Sequence, residues 1–281
     1  MKQRVHALSR KQVMVNFPER PHDSHKGLFG TVAVIGGAEG MVGAPLIAGR
    51  AALKLGAGCV RVGLLAENAP IVDMLQPELM LHSASAALKQ HGGNVIAIGC
   101  GLGTSIAAQK LLYGALKRDV ALVLDADALN LLARHADLQD DLCNRKAPTV
   151  LTPHPGEAAR LLGCSTNEIQ VDRVAAIRNL SQKFACTTML KGADSLCATR
   201  NGNLFMNKTG NPGMSSAGMG DALTGMIAAL VAQEMTADDA LLLAVHLHGA
   251  AGDALTEQGI TIGMTATDVT EWARWLLNQW K

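Results

Sequence analysis

Aromatic side chains are scarce in this sequence: three Trp, one Tyr and four Phe, 3% of 281 residues. The core must therefore be filled by Ala, Val, Leu, Ile and Met, and apolar types reach 48% of the chain. Long apolar runs are missing as well. Nothing approaches the roughly 18 consecutive apolar residues that a bilayer span needs, and residues 226–232 fall far short. The polar first 27 residues hold no apolar segment of a secretory signal. An excess of either charge is absent too. Lys and Arg number 25 against 24 Asp and Glu, a net charge of +1, which leaves no broad basic field for nucleic acid and no acidic tail. The six cysteines form no C-x-x-C pair, and a chain this long needs no disulfide staples, so free thiols in a reducing cytoplasm are expected.

What is present is glycine, 29 residues in short clusters, and a regular alternation of apolar runs with amphipathic ones. Residues 31–35, 59–65, 95–99, 120–124, 149–152 and 187–190 read as buried strands separated by helices. That pattern predicts a mostly parallel central sheet covered on both faces. Residues 196–200 and 204–208, joined by Asn201-Gly202-Asn203, read as an antiparallel hairpin at one edge. The last third reads as helical, with capping boxes at Ser165…Glu168, Thr236…Asp239 and Asp268…Glu271. No repeat or linker divides the chain. Residues 1–281 are expected to be a single α/β domain, with residues 1–26 an irregular N-terminal arm. In open parallel sheets ligands bind beyond the carboxyl ends of the strands. Asp125, His154, Lys191 and the loop before Asp221 all follow predicted strands.

The strongest segment runs from Thr209 to Gly225, Thr-Gly-Asn-Pro-Gly-Met-Ser-Ser-Ala-Gly-Met-Gly-Asp-Ala-Leu-Thr-Gly. A loop with four glycines feeds an apolar helix, so unpaired backbone N–H groups and the helix dipole favour an anion there. Asp221 stands at the mouth of that anion site. Read structurally, it is an ordinary N-cap; read functionally, it is a base. Two familiar nucleotide motifs are missing. There is no G-x-x-x-x-G-K-[ST], and Gly37, Gly40 and Gly43 have the wrong spacing for G-x-G-x-x-G.

Gly218-Met219-Gly220-Asp221 resembles the Gly-x-Gly-Asp anion hole of ribokinase-like enzymes. The longer Thr209-Gly-Asn-Pro-Gly-Met214 resembles the ADP- or ATP-dependent NAD(P)H-hydrate dehydratases built on that fold. Leu151-Thr-Pro-His-Pro-Gly-Glu157, Leu190-Lys-Gly-Ala-Asp-Ser195, Asp125-Ala-Asp-Ala-Leu-Asn130, Gly99-Cys-Gly-Leu-Gly103 and Gly36-Gly-Ala-Glu-Gly-Met-Val-Gly-Ala44 match further loops of the family in order and spacing. The resemblance spans residues 27–277. It implies a ribokinase-like fold, with Asp221 as the base and Gly218 and Gly220 in the anion hole. Ala44, Gly103, His154 and Asp221 would face the hydrated nicotinamide. Lys191, Gly192, Ala193, Asp194, Ser195 and Gly220 would hold the nucleotide. Mg²⁺ would bridge the phosphates, with Glu157 reaching it through water, and ADP or ATP would be the phosphoryl donor. Relatives assemble as tetramers, and many carry a fused epimerase for which the arm is too short. A homotetramer working beside a separate epimerase is therefore expected. Cys100, where relatives often carry Pro, and Met219, larger than the residue common there, depart from the pattern.

Weaker signals have plainer readings. His246 and His248, two apart on a helix, cannot share a face and read as structural. Glu157 also reads as a first-turn acid favoured by the helix dipole. A small-molecule kinase of the same superfamily, such as a vitamin-precursor kinase, is the nearer alternative. A nucleotide-binding regulatory module without turnover is the more distant one.

Overall fold

The computed structural model describes residues 5–90 and 93–281. Ten strands form one sheet: β1 (Val5–Ala7), β2 (Thr31–Gly36), β3 (Cys59–Leu64), β4 (Met80–Ser83), β5 (Val95–Ile98), β6 (Ala121–Leu124), β7 (Thr149–Leu151), β8 (Thr187–Leu190), β9 (Leu196–Ala198) and β10 (Leu204–Met206). Their order is β1-β10-β9-β8-β7-β6-β5-β2-β3-β4. Only β9 runs against its neighbours; every other described pairing is parallel.

Alternation along the strands builds two cores, because successive side chains point to opposite faces. Val32 and Val34 of β2 face one core, with the helices Gly43–Lys54, Met219–Ala232, Ala237–Glu257 and Ala266–Trp280. Ala33 and Ile35 face the other, with Ile106–Leu116, Asp127–Arg134, Pro155–Leu162 and Arg173–Phe184. Burial on both faces is why the central strands read as unbroken apolar runs. With few aromatics to separate them, helices approach closely. A Cβ added to Gly225 would stand 2.0 Å from the Ala48 carbonyl oxygen. The helix Met219–Ala232 therefore lies against the backbone of Gly43–Lys54, and its first turn is fixed over the strand ends.

Three expectations need correction. The N-terminal arm is not wholly irregular. Residues 1–4 lie outside the described residues, but Val5–Ala7 pairs in parallel with Leu204–Met206, and Leu8 and Val13 are buried. The hairpin is therefore one strand in from the edge. The edge strand β4 was not foreseen, because Met-Leu-His-Ser is half exposed and has no apolar run to announce it. The last helix starts one turn before Asp268. Thr265 is its cap, and Asp268 is the third-residue partner of that cap. Thr265-x-x-Asp268 and Asp268-x-x-Glu271 both fit the capping pattern, and burial of Ala266 and Val269 selects the first. The Ser165 box forms as expected. Thr236 caps its helix by accepting from the Asp239 amide.

Candidate active site

Loops leaving the carboxyl ends of β2 and β5 interlock. Gly37 N–H donates to the Cys100 carbonyl at 3.2 Å and Ala38 N–H to that of Gly101 at 2.7 Å. Ala44 opens the helix Gly43–Lys54, where its N–H closes a turn on Met41. The Gly103 amide donates to Asp127 Oδ2 at 2.8 Å, so Gly103 is held by a carboxylate that follows β6. Asp127 also accepts from Asn130, whose carbonyl oxygen accepts from Arg160 Nε at 2.9 Å. One chain of bonds thus ties the loop after β5 to the helix after β7.

Asp125, at the end of β6, is 1% exposed and fully engaged. It accepts from the Ala126 amide at 2.8 Å, Lys191 Nζ at 2.6 Å and Thr224 Oγ1 at 2.7 Å. A buried carboxylate this well bonded holds its partner in place. Burial alone would lower the Lys191 pKa, but Asp125 and Glu157 outweigh it and hold the ammonium above its ordinary value.

His154 and Glu157 form a reciprocal cap. His154 Nδ1 accepts from the amides of Gly156 and Glu157 at 3.0 and 3.4 Å, and Glu157 Oε2 accepts from His154 N at 2.8 Å. His154 Nε2 lies 3.3 Å from Glu157 Oε1, and the ring is half exposed. Burial and the nearby Lys191 and Arg160 push the His154 pKa down, which favours the neutral ring. Burial pushes Glu157 the other way, up to about 7.

The helix Met219–Ala232 begins at Gly218, which is in the left-handed region at φ +88°, and no side chain caps it. Its first-turn N–H groups have no partner within the helix. Asp221 is the third residue of the helix and not its N-cap. The plain capping reading is therefore wrong. Burial raises the Asp221 pKa, and the Asp125 and Asp127 carboxylates add to it; the Cys100 thiol and Lys191 work against them. Cys100 is buried, and burial together with Asp221 lifts its pKa well above the ordinary thiol value. It stays protonated and donates to Asp221. The departure at position 100 thus supplies the base with a hydrogen-bond donor.

Beside this cluster lies a cavity of about 550 Å³. Its walls include Lys191, Gly192, Ala193, Asp194, Ser195 and Gly220. Ala44, Gly103, His154 and Asp221 do not line it. They lie on the carboxylate side, joined to it through Cys100, Asp125 and Lys191. Lys191 Nζ would be 3.1 Å from a Cβ added to Gly220, so the ammonium sits against the first turn of the helix. Loop 191–195 is held from below by Arg173, which donates to the carbonyls of Leu190 and Lys191 at 3.3 Å each. The opposite wall is loop 207–215, anchored by Asp253, which accepts from Gly210 N and Asn211 Nδ2 at 2.9 and 3.0 Å. Asp194 and Lys208 pair at 2.7 Å between the two loops. Asp127, Asn130, Arg173, Asp253 and His248 were not among the expected site residues. Only Asp127 and Asn130 left a signal, as polar residues in a loop after a buried strand.

A family model described as NAD(P)H-hydrate dehydratase matches residues 32–274. The chain is 43% identical to the ADP-dependent (S)-NAD(P)H-hydrate dehydratase of Neisseria meningitidis serogroup B, over 94% of this chain and 90% of that one. It is 43% identical to the bifunctional NAD(P)H-hydrate repair enzyme of Coxiella burnetii, over 95% of this chain but 54% of the longer protein. It thus spans about half the length of the bifunctional relatives it matches. The ADP/ATP-dependent dehydratase of Bacillus subtilis, co-crystallised with ATP and Mg²⁺, superposes with a TM-score of 0.88 at 30% identity and covers 99% of both chains.

Proposed function

The chain belongs to the NAD(P)H-hydrate dehydratase family, and from that premise we propose how it returns the S-forms of hydrated NADH and NADPH to the intact cofactors. The reaction is a dehydration driven by phosphoryl transfer from ADP, giving AMP, or from ATP. One observation carries the assignment of roles. A carboxyl of raised pKa, Asp221, stands in the uncapped first turn of a helix, between a carboxylate cluster and a cavity of nucleotide size.

The hydroxyl added to the nicotinamide ring is a poor leaving group. Asp221 takes its proton as the oxygen forms a bond to the terminal phosphorus of the donor. The bond from that phosphorus to the bridging oxygen breaks, and the bridging oxygen keeps the electron pair. Phosphate then leaves the ring carbon, pushed by the ring-nitrogen lone pair, and loss of a proton from the adjacent carbon restores the double bond. A base works best with a pKa near the working pH, and burial moves Asp221 in that direction. The N–H groups of Gly218–Gly220 face the transferring phosphoryl group, where one lost donor typically costs about 10²–10³ in rate. Lys191–Ser195 and Gly220 hold the nucleotide, and Ala44, Gly103 and His154 face the hydrated ring. The protein's work is positioning and charge stabilisation.

The acidic groups fit a Mg²⁺ ion only in part. Asp125, Asp127 and Glu157 all have protein partners, and no described group of three His, Cys, Asp or Glu is arranged to hold a metal. That fits an ion bound mainly by the nucleotide's phosphates and water, with Glu157 reaching it through water. There it would neutralise charge between phosphates. Six free cysteines suit a reducing cytoplasm, and no described helix is long and apolar enough to cross a membrane. Exposed Ile71, Met74 and Leu75, in the loop that leads into edge strand β4, suit contact between copies in a homotetramer. The described residues are read as one dehydratase domain, whose product complements the epimerase activity that the names of the bifunctional relatives imply. The test is to incubate the protein with hydrated NADH, ADP and Mg²⁺. Recovery of NADH absorbance with release of AMP and phosphate is expected. A stable phosphorylated product would make it a kinase instead.

A further inference from the structure

Asp127 is the first residue of the helix Asp127–Arg134, where an acid is ordinarily favoured by the helix dipole alone. Its bonds, however, run to the loop after β5. Its N–H donates to the Gly99 carbonyl at 3.3 Å, and its Oδ2 accepts from the Gly103 amide at 2.8 Å. One residue thus clamps both ends of Gly99-Cys-Gly-Leu-Gly103. The turn that delivers it is strained. Ala126 stands at φ +49° and ψ −115°, a conformation rare for any residue with a Cβ, and such strain persists only where the surroundings over-determine it. Here Asp125 Oδ1 accepts the Ala126 amide at 2.8 Å. The clamped loop in turn carries another. The carbonyls of Cys100 and Gly101 accept from Gly37 and Ala38, in the loop that leads to Ala44. We propose that Asp127 is a positioning residue for the hydrated nicotinamide, whose carboxylate sets the loop bearing Gly103 and, through it, the loop bearing Ala44. The inference rests on reading Gly103 and Ala44 as facing the hydrated ring.

The bonds behind Asp127 have a direction. Arg160 Nε donates to Asn130 Oδ1 at 2.9 Å, and Asn130 Nδ2 donates to Asp127 Oδ1 at 3.2 Å. With the Gly103 amide on Oδ2, every donor points toward Asp127, and an ionised carboxylate only accepts. In Asp127→Asn the amide oxygen can still accept from Gly103, but its NH₂ then faces the NH₂ of Asn130. Turning the Asn130 amide only moves the clash to Arg160. A first-turn acid placed for its charge would need no such chain. In the double variant Asp127→Asn/Asn130→Asp the clash disappears. Arg160 and the amide at position 127 both donate to the carboxylate at position 130, and Gly103 keeps its acceptor.

Steady-state kinetics with hydrated NADH, calorimetric titration with ADP and thermal melting test this on Asp127→Ala, Asp127→Asn and the double variant. Asp127→Ala should raise the KM for hydrated NADH roughly ten- to hundredfold, the loss typical of a hydrogen bond to a charged group. Its kcat should fall less, and its Kd for ADP should match wild type. Asp127→Asn should raise KM by a smaller factor, and the double variant should bring it back close to wild type. An acid with a merely structural role would lower the melting temperature and the active fraction, hence kcat, without moving KM. If Asp127→Ala does not fold, the comparison of Asp127→Asn with the double variant decides, since both keep the side chain's size. Unchanged KM in a folded Asp127→Ala, or equal KM in Asp127→Asn and the double variant, would overturn the proposal. So would a loss of ADP affinity as large as the rise in KM. Failure of wild type to turn over hydrated NADH would instead sink the ring-facing reading of Gly103 and Ala44, and this inference with it.

Discussion

The two halves of the site are built on opposite plans. On the carboxylate side, side chains hold one another. Asp125, Lys191, Thr224, Asp127, Asn130, Glu157 and His154 are joined by bonds within the protein before any ligand arrives. On the nucleotide side, the walls are largely glycine-rich backbone around open space. Their donors are unpaired first-turn amides, and an exposed Asp194–Lys208 pair lies at the rim. Reacting groups need fixed positions before the substrate arrives, so their geometry is set by mutual hydrogen bonds. A polyanionic ligand brings its own acceptors, so the half that receives it can leave donors free.

Breaking the base should give the largest effect. Asp221→Asn should lower kcat by at least the 10²–10⁴ typical of general-base loss. ADP affinity should hold or tighten, because a negative charge near the phosphates is gone. Asp221 is the third residue of its helix and not the cap, so the substitution removes only a favourable dipole contact of about 0.3–1 kcal/mol. Relief of a buried carboxylate offsets that, and the melting temperature should change little. Near wild-type turnover in Asp221→Asn would refute the assignment.

Lys191 belongs to both halves, so its removal tests whether they are separate. The sequence alone suggests a simple nucleotide contact. The structure adds that Lys191→Ala leaves Asp125 1% exposed and without its cation. Breaking a buried pair from one side typically costs about 3–5 kcal/mol. Chemical denaturation should show such a loss, together with a weaker ADP Kd by titration. Adding Asp125→Asn should recover part of the stability but none of the affinity. Recovery of both would mean that Lys191 acts only as a structural counter-ion.

Glu157 measures the strain on the carboxylate side. Its pKa in the folded protein is about 7, above the 4.5 of a free glutamate. A carboxyl raised in this way contributes most stability when protonated, below pH 4.5, and that contribution is lost as pH rises through about 7. The difference of 2.5 units corresponds to about 3 kcal/mol at most. Glu157→Gln keeps a cap acceptor and never ionises. It should therefore melt higher than wild type at pH 8 and equal to it near pH 4. No pH dependence in the difference would mean that Glu157 ionises freely.

The nucleotide half and the sheet were the more legible parts of the sequence, and physics explains why. Buried parallel strands such as β2 and β6 need unbroken apolar runs. A backbone anion site needs glycines next to one another in the chain, as at Gly218 and Gly220. Both signals are local. The edge strands β1 and β4 are half exposed and carry no such run, and the start of the last helix was ambiguous because two capping patterns overlap. The carboxylate half was legible only residue by residue. Asp125 and Lys191 could be marked as strand-end residues, but their pairing joins positions 66 apart in sequence. No spacing encodes that.

His154 tests the comparison most finely, because its ring caps a helix with one nitrogen and exposes the other. If the carboxylate half is prebuilt for chemistry, the cap and the substrate contact should separate on substitution. His154→Ala loses both, and a lost cap costs about 1 kcal/mol. A modest fall in melting temperature is therefore expected, together with a raised KM for the hydrated cofactor. His154→Asn restores the cap, since a short amide oxygen reaches the second and third N–H groups of the helix as well as an imidazole does. It cannot project an Nε2 beyond Glu157. The Asn variant should then melt close to wild type while keeping the raised KM, and ADP affinity should be unchanged in both. If Asn rescues KM along with stability, His154 acts on the substrate only by holding the helix. If ADP affinity falls in either variant while KM holds, the two halves of the cleft have been assigned the wrong way round.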